Sequence, residues 1–163
     1  QIMATRLYSI QQLNPFTSLG TWTLTQASNL IELVKPPAND TSVLTFEIPR
    51  DLHGSAVNAS GISAVAVHYV VATASLDAAP TVTVNKVTMN ASTKAISRAA
   101  VTNTLTFAGT NTVGTAAGTY VANIAFAAAA AALDESSAYT VEVTFNGAAT
   151  GALKVGAVEV TYV

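Results

Sequence analysis

The chain has 163 residues and a formal net charge of −2, with 50% hydrophobic but only 10% charged residues. An ordinary soluble domain carries about 25% charged residues. The high hydrophobic content and low net charge exclude intrinsic disorder, which needs the opposite composition. They also exclude a nucleic-acid groove, because such a groove needs a surface rich in Lys and Arg. The 31 Ala, 23 Thr and 19 Val residues leave few charges to cover a free surface, which indicates that part of the surface is hidden in an assembly.

The first nineteen residues differ from the remainder. Met3, Leu7 and Ile10 have helical spacing, and Asn14-Pro15 then stops any helix. The sequence therefore predicts an N-terminal arm or short helix over residues 1–19, followed by one domain over residues 20–163.

From Gly20 onward the dominant hydrophobic period is two, which is typical of half-buried strands with β-branched Thr on the wetter face. Turn residues separate the runs at the spacing of a sandwich. About nine strands are predicted, over residues 21–25, 31–33, 44–48, 62–71, 81–89, 101–107, 120–126, 139–145 and 153–162.

Three of these strands carry further detail. Both faces of Ile62–Val71 are apolar, which predicts a central strand covered on two sides. The hydrophobic phase slips at Asn85-Lys86, which predicts a β-bulge there, and slips a second time within the last strand.

Two segments interrupt the alternation. Gly109–Gly118 is predicted to be a loop, and the alanine run 127–132 is predicted to lead from a strand into a short helical or irregular crossover, because Ala is the best helix former. The fold class that follows is all-β: a single antiparallel, jelly-roll-like β-sandwich of about 8–9 strands with an N-terminal arm.

Few residues are suited to chemistry. His68 lies mid-strand beside alanines and is interpreted as a packed histidine that bonds a backbone group or a neighbour. Asp51 and His53 could offer two metal ligands, but a site needs three or four and no third lies nearby. Asp134-Glu135 lacks the alternating ligands of a calcium loop and is interpreted as a solvated turn.

The remaining candidates have structural interpretations. Four acids occupy outward or interface positions on strands, and four aromatic residues share strand faces with Leu, Val and Ile, which indicates core packing. The acids are Glu32, Glu47, Glu142 and Glu159, and the aromatic residues are Trp22, Tyr120, Tyr139 and Tyr162. With no Cys and no nucleophile elbow, phosphate loop or dinucleotide motif, the sequence predicts no enzyme, no catalytic residue, no metal and no cofactor.

Several segments together resemble the β-sandwich structural proteins of phage and other virus particles. The likeness lies in the order of the strands and in their general residue pattern over residues 42–163. It rests on LTFEIP (44–49), ISAVAVHY (62–69), ATASL (72–76), VTVNKV (82–87), YTVEVTF (139–145) and VGAVEVTY (155–162). This resemblance implies a jelly roll or related sandwich that acts as a capsid, cement or spike-base subunit.

The leading hypothesis is therefore a self-assembling virion subunit, located in the virion or outside the cell, whose partners are copies of itself and other virion proteins. No direct nucleic-acid contact and no membrane are expected. Its N-terminal arm would reach a neighbouring subunit through apolar side chains, namely Ile2, Met3, Leu7, Tyr8, Ile10, Leu13 and Phe16; the alternative is that residues 1–19 pack on their own sandwich. The other functions considered are a microbial extracellular filament or surface layer built by strand exchange, and a carbohydrate-binding module.

Overall fold

Two antiparallel β-sheets pack face to face in the computed structural model, which describes residues 4–27, 30–49, 61–72, 76–127, 137–147 and 152–163. The described residues form twelve strands and one 3₁₀ helix, Ile10–Leu13. The strands are β1 (Ala4–Ser9), β2 (Phe16–Leu19), β3 (Thr23–Ala27), β4 (Leu30–Lys35), β5 (Thr41–Glu47), β6 (Ile62–Val71), β7 (Ala78–Met89), β8 (Ile96–Ala100), β9 (Asn103–Gly109), β10 (Gly118–Phe126), β11 (Ser137–Asn146) and β12 (Leu153–Tyr162).

The strand pairing is nested along the chain. The seven-stranded sheet has the order β3-β4-β12-β6-β10-β9, with β1 also paired to β12, and the five-stranded sheet has the order β2-β5-β11-β7-β8. Thus β4 pairs with β12, β5 with β11, β6 with β10 and β7 with β8. A long ribbon folded over on itself in this way is a jelly roll, so the predicted all-β sandwich is confirmed.

Alternation along the strands builds the core between the two sheets. In β11, every second residue from Ser137 to Phe145 is buried, and β6, β10 and β12 show the same pattern over most of their lengths. Tyr120, Tyr139 and Tyr162 are buried and Trp22 packs against the core, so their predicted packing role is confirmed.

Residues 4–19 run along the sandwich rather than away from it. β1 pairs with β12 over six residue pairs, and β2 pairs with β5 in the other sheet. Between them, Ile10 and Leu13 on the 3₁₀ helix are buried in the core of their own chain. The structure therefore differs from the prediction of a separate arm, because these two apolar side chains find their burial within the same sandwich.

The two predicted phase slips have different outcomes. The bulge predicted at Asn85-Lys86 is wrong, because β7 pairs with β11 without a register shift from Thr81 to Thr88. The bulge of β7 lies instead between Ala78 and Thr81, where β7 has one residue more than β11. Pro80 lies in that interval, where the missing N–H suits a bulge. The slip in the last strand is confirmed, since the register of β12 against β6 shifts between Val155 and Ala157.

The central position of β6 between β12 and β10 is confirmed. Its predicted coverage on both sides is only partly correct, because the outward-facing Ala64, Ala66, His68 and Val70 are half-buried rather than buried. Small outward side chains on β6 therefore leave the outer face of the seven-stranded sheet partly open.

A buried lysine fixes the loop between β4 and β5. Lys35 is 1% exposed, and its Nζ donates to the carbonyl oxygens of Pro36 (3.3 Å) and Ala38 (3.1 Å). The same nitrogen lies 2.7 Å from Oδ1 of Asp40. The ammonium group thus joins two backbone carbonyls and one carboxylate of the same loop, and Asp40 Oδ1 also accepts from Oγ of Ser42 (3.4 Å).

We expect Lys35→Met to lower the free energy of unfolding by about 2–4 kcal/mol, because it removes the buried ammonium that donates to two part-buried carbonyls and pairs with Asp40. The matched variant Lys154→Met removes a part-exposed ion pair, Lys154 Nζ to Glu32 Oε2 at 3.5 Å, and should cost less, about 1 kcal/mol. Urea denaturation of both variants checks this, and equal losses would contradict it.

Tyrosine hydroxyls connect the core to the loops at the ends of the sandwich. Tyr69 donates to the carbonyl of Gly114 (2.8 Å) and Tyr162 to that of Pro49 (2.6 Å). Burial raises the pKa of both phenols well above their usual range, with the neighbouring Tyr120 adding to the effect at Tyr69 and a hydrogen bond with Tyr8 adding to it at Tyr162.

Stability should therefore fall as the pH rises above about 10, the pKa of an unfolded tyrosine. There the unfolded chain loses protons that folded Tyr69 and Tyr162 retain, and the loss from each is at most about 1.4 kcal/mol per pH unit. Urea midpoints measured between about pH 9 and pH 11 check this. Tyr162→Phe should show a shallower dependence, and a flat wild-type profile would contradict the expectation.

Candidate functional site: an outer-face groove and an exposed hairpin

A groove opens on the outer face of the seven-stranded sheet beside Gly156. There β12 carries two neighbours on one edge: β4 pairs with residues 153–155 and β1 with residues 157–162. The groove has a volume of about 340 Å³, and its lining is mainly apolar. It is lined by Leu7, Ile31, Glu32, His68, Tyr69, Val70, Thr119, Lys154, Gly156, Ala157 and Glu159.

The charged groups of the groove leave it acidic. Lys154 is paired with Glu32, whereas Glu159 has His68 as its neighbour, with 3.7 Å between Oε1 and Nε2. With a neutral imidazole, the two carboxylates and one ammonium give a net charge of −1. The groove therefore favours a partner that is apolar and carries positive charge.

His68 lies mid-strand on the same face as Ala64 and Ala66, but the hydrogen bond predicted for it is not formed at Nε2. It lies on the half-buried outer face of β6, and its Nε2 is enclosed but has no hydrogen-bond partner. The 3.7 Å separation from Glu159 is beyond hydrogen-bond distance. Within the described part of the chain, no three His, Cys, Asp or Glu side chains converge on a metal position.

A second feature is the hairpin that joins β7 to β8. Every residue from Met89 to Ala100 is exposed, yet the turn is well ordered by its own hydrogen bonds. Oδ1 of Asn90 accepts from the backbone N–H groups of Ser92 (3.0 Å) and Thr93 (2.9 Å), and Asn90 N–H donates to Ala95 (2.9 Å). The turn of the hairpin is thus held by hydrogen bonds within its own chain.

One face of this hairpin is apolar and cationic. Met89 lies directly opposite Ile96, and Val87 opposite Arg98, so all four share one face. Met89 and Ile96 are 47% and 75% exposed. The partner of Arg98 in its own chain is Glu142 at 4.0 Å, a distance at which two part-exposed groups interact weakly.

The residues predicted to form the arm interface separate into three groups. Leu7 and Phe16 are 65% and 68% exposed, and Leu7 lines the groove. Ile10 and Leu13 are buried in the core, and Tyr8 is half-buried with its hydroxyl 3.0 Å from that of Tyr162. Ile2 and Met3 lie outside the described residues.

The strand acids lie where the alternation indicated. Glu47 is exposed, and Glu32, Glu142 and Glu159 are half-buried on outward positions. Asp51, His53, the alanine run from residue 128 onward and Asp134-Glu135 lie outside the described residues.

Sequence reasoning missed β8 and with it the hairpin. The segment ISRAA (96–100) has no alternating pattern because all five of its side chains face solvent. The available signal was Asn90 at the head of a turn, followed by Ile96 as a lone large apolar side chain between polar and small residues.

The structure thus defines a jelly-roll sandwich with a groove on one face and an exposed hairpin at the edge of the other sheet. No family model, no curated protein and no solved structure matches the chain. Among the described residues, no helix has the length and apolar character needed to cross a membrane.

We expect Ile96→Ser to change the free energy of unfolding by no more than about 0.5 kcal/mol, because Ile96 packs outside the core. The control Ile124→Ala removes a side chain that is 0% exposed and should cost about 2–5 kcal/mol. Denaturant unfolding distinguishes the two, and a large loss for Ile96→Ser would show that the hairpin supports the fold.

Proposed function

We propose that this chain is a non-catalytic structural subunit of a virus particle, a capsid or capsid-decoration protein that assembles with copies of itself. The observation that carries the proposal is the set of large apolar side chains left exposed on a chain with few charges. Among the described residues these are Leu7, Phe16, Leu19, Leu24, Met89, Ile96 and Val113.

Many of these side chains lie on the edge strands of the two sheets. Phe16 and Leu19 are on β2 and Leu24 is on β3, at one lateral edge of the sandwich, whereas Ile96 is on β8 at the other. Edge strands present unpaired backbone groups, and soluble proteins usually protect them with charge. Apolar side chains on both lateral edges therefore favour contacts between copies.

The strand connectivity is compatible with a virion role. Nested pairing of β4 with β12 through to β7 with β8 is a jelly roll, an architecture that viral capsid proteins use. The near-neutral charge suits a position away from the genome, as in an outer or accessory subunit.

The second candidate is a filament subunit that exchanges β1 between copies. Among the described strands β1 pairs with β12 and with no other, and Leu7 is 65% exposed, so the strand could be donated to a neighbour. Deleting residues 1–19 would not test this cleanly, because the deletion also removes Ile10 and Leu13 from the core.

A carbohydrate-binding role has less support. Stacking on sugars needs exposed aromatic rings, whereas Tyr69, Tyr120, Tyr139 and Tyr162 are buried. Phe16 is the one aromatic side chain among the described residues that is more than half exposed.

We expect the recombinant 163-residue chain to form oligomers or closed particles as its concentration rises. Light scattering coupled to size exclusion measures the mass, and electron microscopy shows the symmetry. Closed rings or shells support the virion proposal, and open helical fibres move the support to the filament. A 16.6 kDa monomer at every concentration would overturn both.

A further inference from the structure

We propose that the β7–β8 hairpin of one copy docks into the outer-face groove of a second copy. The inference rests on the proposed function, which requires contacts between copies, and it names the two surfaces that meet. The hairpin surface is defined by Val87, Met89, Ile96 and Arg98, with Lys94 at the turn; the groove is the one beside Gly156.

The apolar parts of the two surfaces complement each other. Met89 and Ile96 form a cross-strand pair that projects from the edge of the five-stranded sheet. The apolar residues that line the groove include Leu7, Ile31 and Val70. Its volume of about 340 Å³ is at the low end for ligand sites, a size that suits a few inserted side chains rather than a large ligand.

The charges also complement each other. The hairpin surface carries Lys94 and Arg98, and in its own chain Arg98 has only the 4.0 Å contact with Glu142. The groove has a net charge of −1 because Glu159 has no cationic partner unless His68 is protonated. Docking would give Glu159 a lysine or arginine partner and would exclude water from both groups.

The hairpin is preorganised for this role. The hydrogen bonds around Asn90 hold the turn, and Lys94 adopts a left-handed backbone conformation at φ 60° that completes it. A surface that is already ordered loses less conformational entropy on binding, so more of the contact free energy appears as affinity.

The two surfaces cannot meet within one molecule. The groove lies on the outer face of the seven-stranded sheet, and the hairpin surface lies on the outer face of the five-stranded sheet, so they point away from each other. The contact is therefore heterologous, and repeating it joins copies head to tail in a ring, shell or fibre.

Cysteine cross-linking tests the contact directly, because the chain contains no cysteine of its own. Leu7→Cys places a thiol at the groove and Ile96→Cys places one on the hairpin, both at exposed positions. Mixing the two variants under mild oxidation should give a disulfide-linked dimer in at least about tenfold greater yield than either variant alone, because only the mixture places the two thiols across the contact.

Leu19→Cys is the matched control, since Leu19 is also an exposed leucine but lies on β2 at the other edge of the five-stranded sheet. Mixed with Ile96→Cys, it should cross-link no more than the background. If this pair links better than Leu7→Cys with Ile96→Cys, the copies join edge to edge and the groove proposal is overturned.

Charge reversal gives an independent measurement. Arg98→Glu and Glu159→Arg should each weaken self-association about tenfold, equivalent to about 1.4 kcal/mol. Combining them should restore most of the affinity, because the reversed charges again attract. Asp77→Arg, an acid exposed outside the groove, is the control and should leave association unchanged.

The outcomes separate the two proposals. If the wild-type chain assembles but neither the cross-link nor the charge rescue appears, the docking proposal is wrong and the structural function stands. If the wild-type chain stays monomeric at every concentration, the proposed function and the docking proposal both fail.

Discussion

The pairing of β6 with β12 is the contact on which the rest of the sandwich depends. It joins residues about ninety positions apart in the chain, from Leu153 opposite Val71 to Tyr162 opposite Ile62. Its inward side chains form the middle of the core, and β10, β4 and β1 all attach to its two free edges. A long-range pairing of this kind is costly in loop entropy, and buried side chains on both strands offset that cost.

One irregularity in this pair shapes the candidate site. At Gly156 the register of β12 shifts, and the strand exchanges its neighbour β4 for β1. The outer face opens where the two neighbours diverge, and Gly156 has no side chain to fill the space. Even a Cβ added to Gly156 would come no closer than 4.0 Å to its nearest neighbour, Cγ of Glu32. The groove is thus a consequence of strand pairing rather than of a functional motif.

The remaining surface has little charge to keep copies apart. Two of the lysines form ion pairs within their own chain. Lys35 pairs with Asp40 inside the β4–β5 loop, and Lys154 pairs with Glu32. In the proposed contact, Arg98 and Lys94 on the exposed hairpin and Glu159 in the groove are the charges that would direct how copies meet. Apolar contacts would supply affinity, and these charges would supply orientation.

Alternation of Thr with Val, Leu and Ile was sufficient to predict an all-β sandwich, the inward faces of most strands and the second bulge, because a strand's period of two is a local property.

The sequence could not place the bulge near Pro80, find β8 or assign residues 4–19 to the sheets. A bulge depends on the partner strand, β8 has no buried face to create a pattern, and Ile10 and Leu13 have the same apolar character whether they cover their own core or a neighbour's. The sequence by itself therefore determined most of the strands after residue 20 and their inward faces. The tertiary structure decided which strands pair, because pairing between strands far apart in the chain is set by how whole faces pack and not by the order of neighbouring residues. It thereby also decided where the groove opens and which apolar side chains remain exposed.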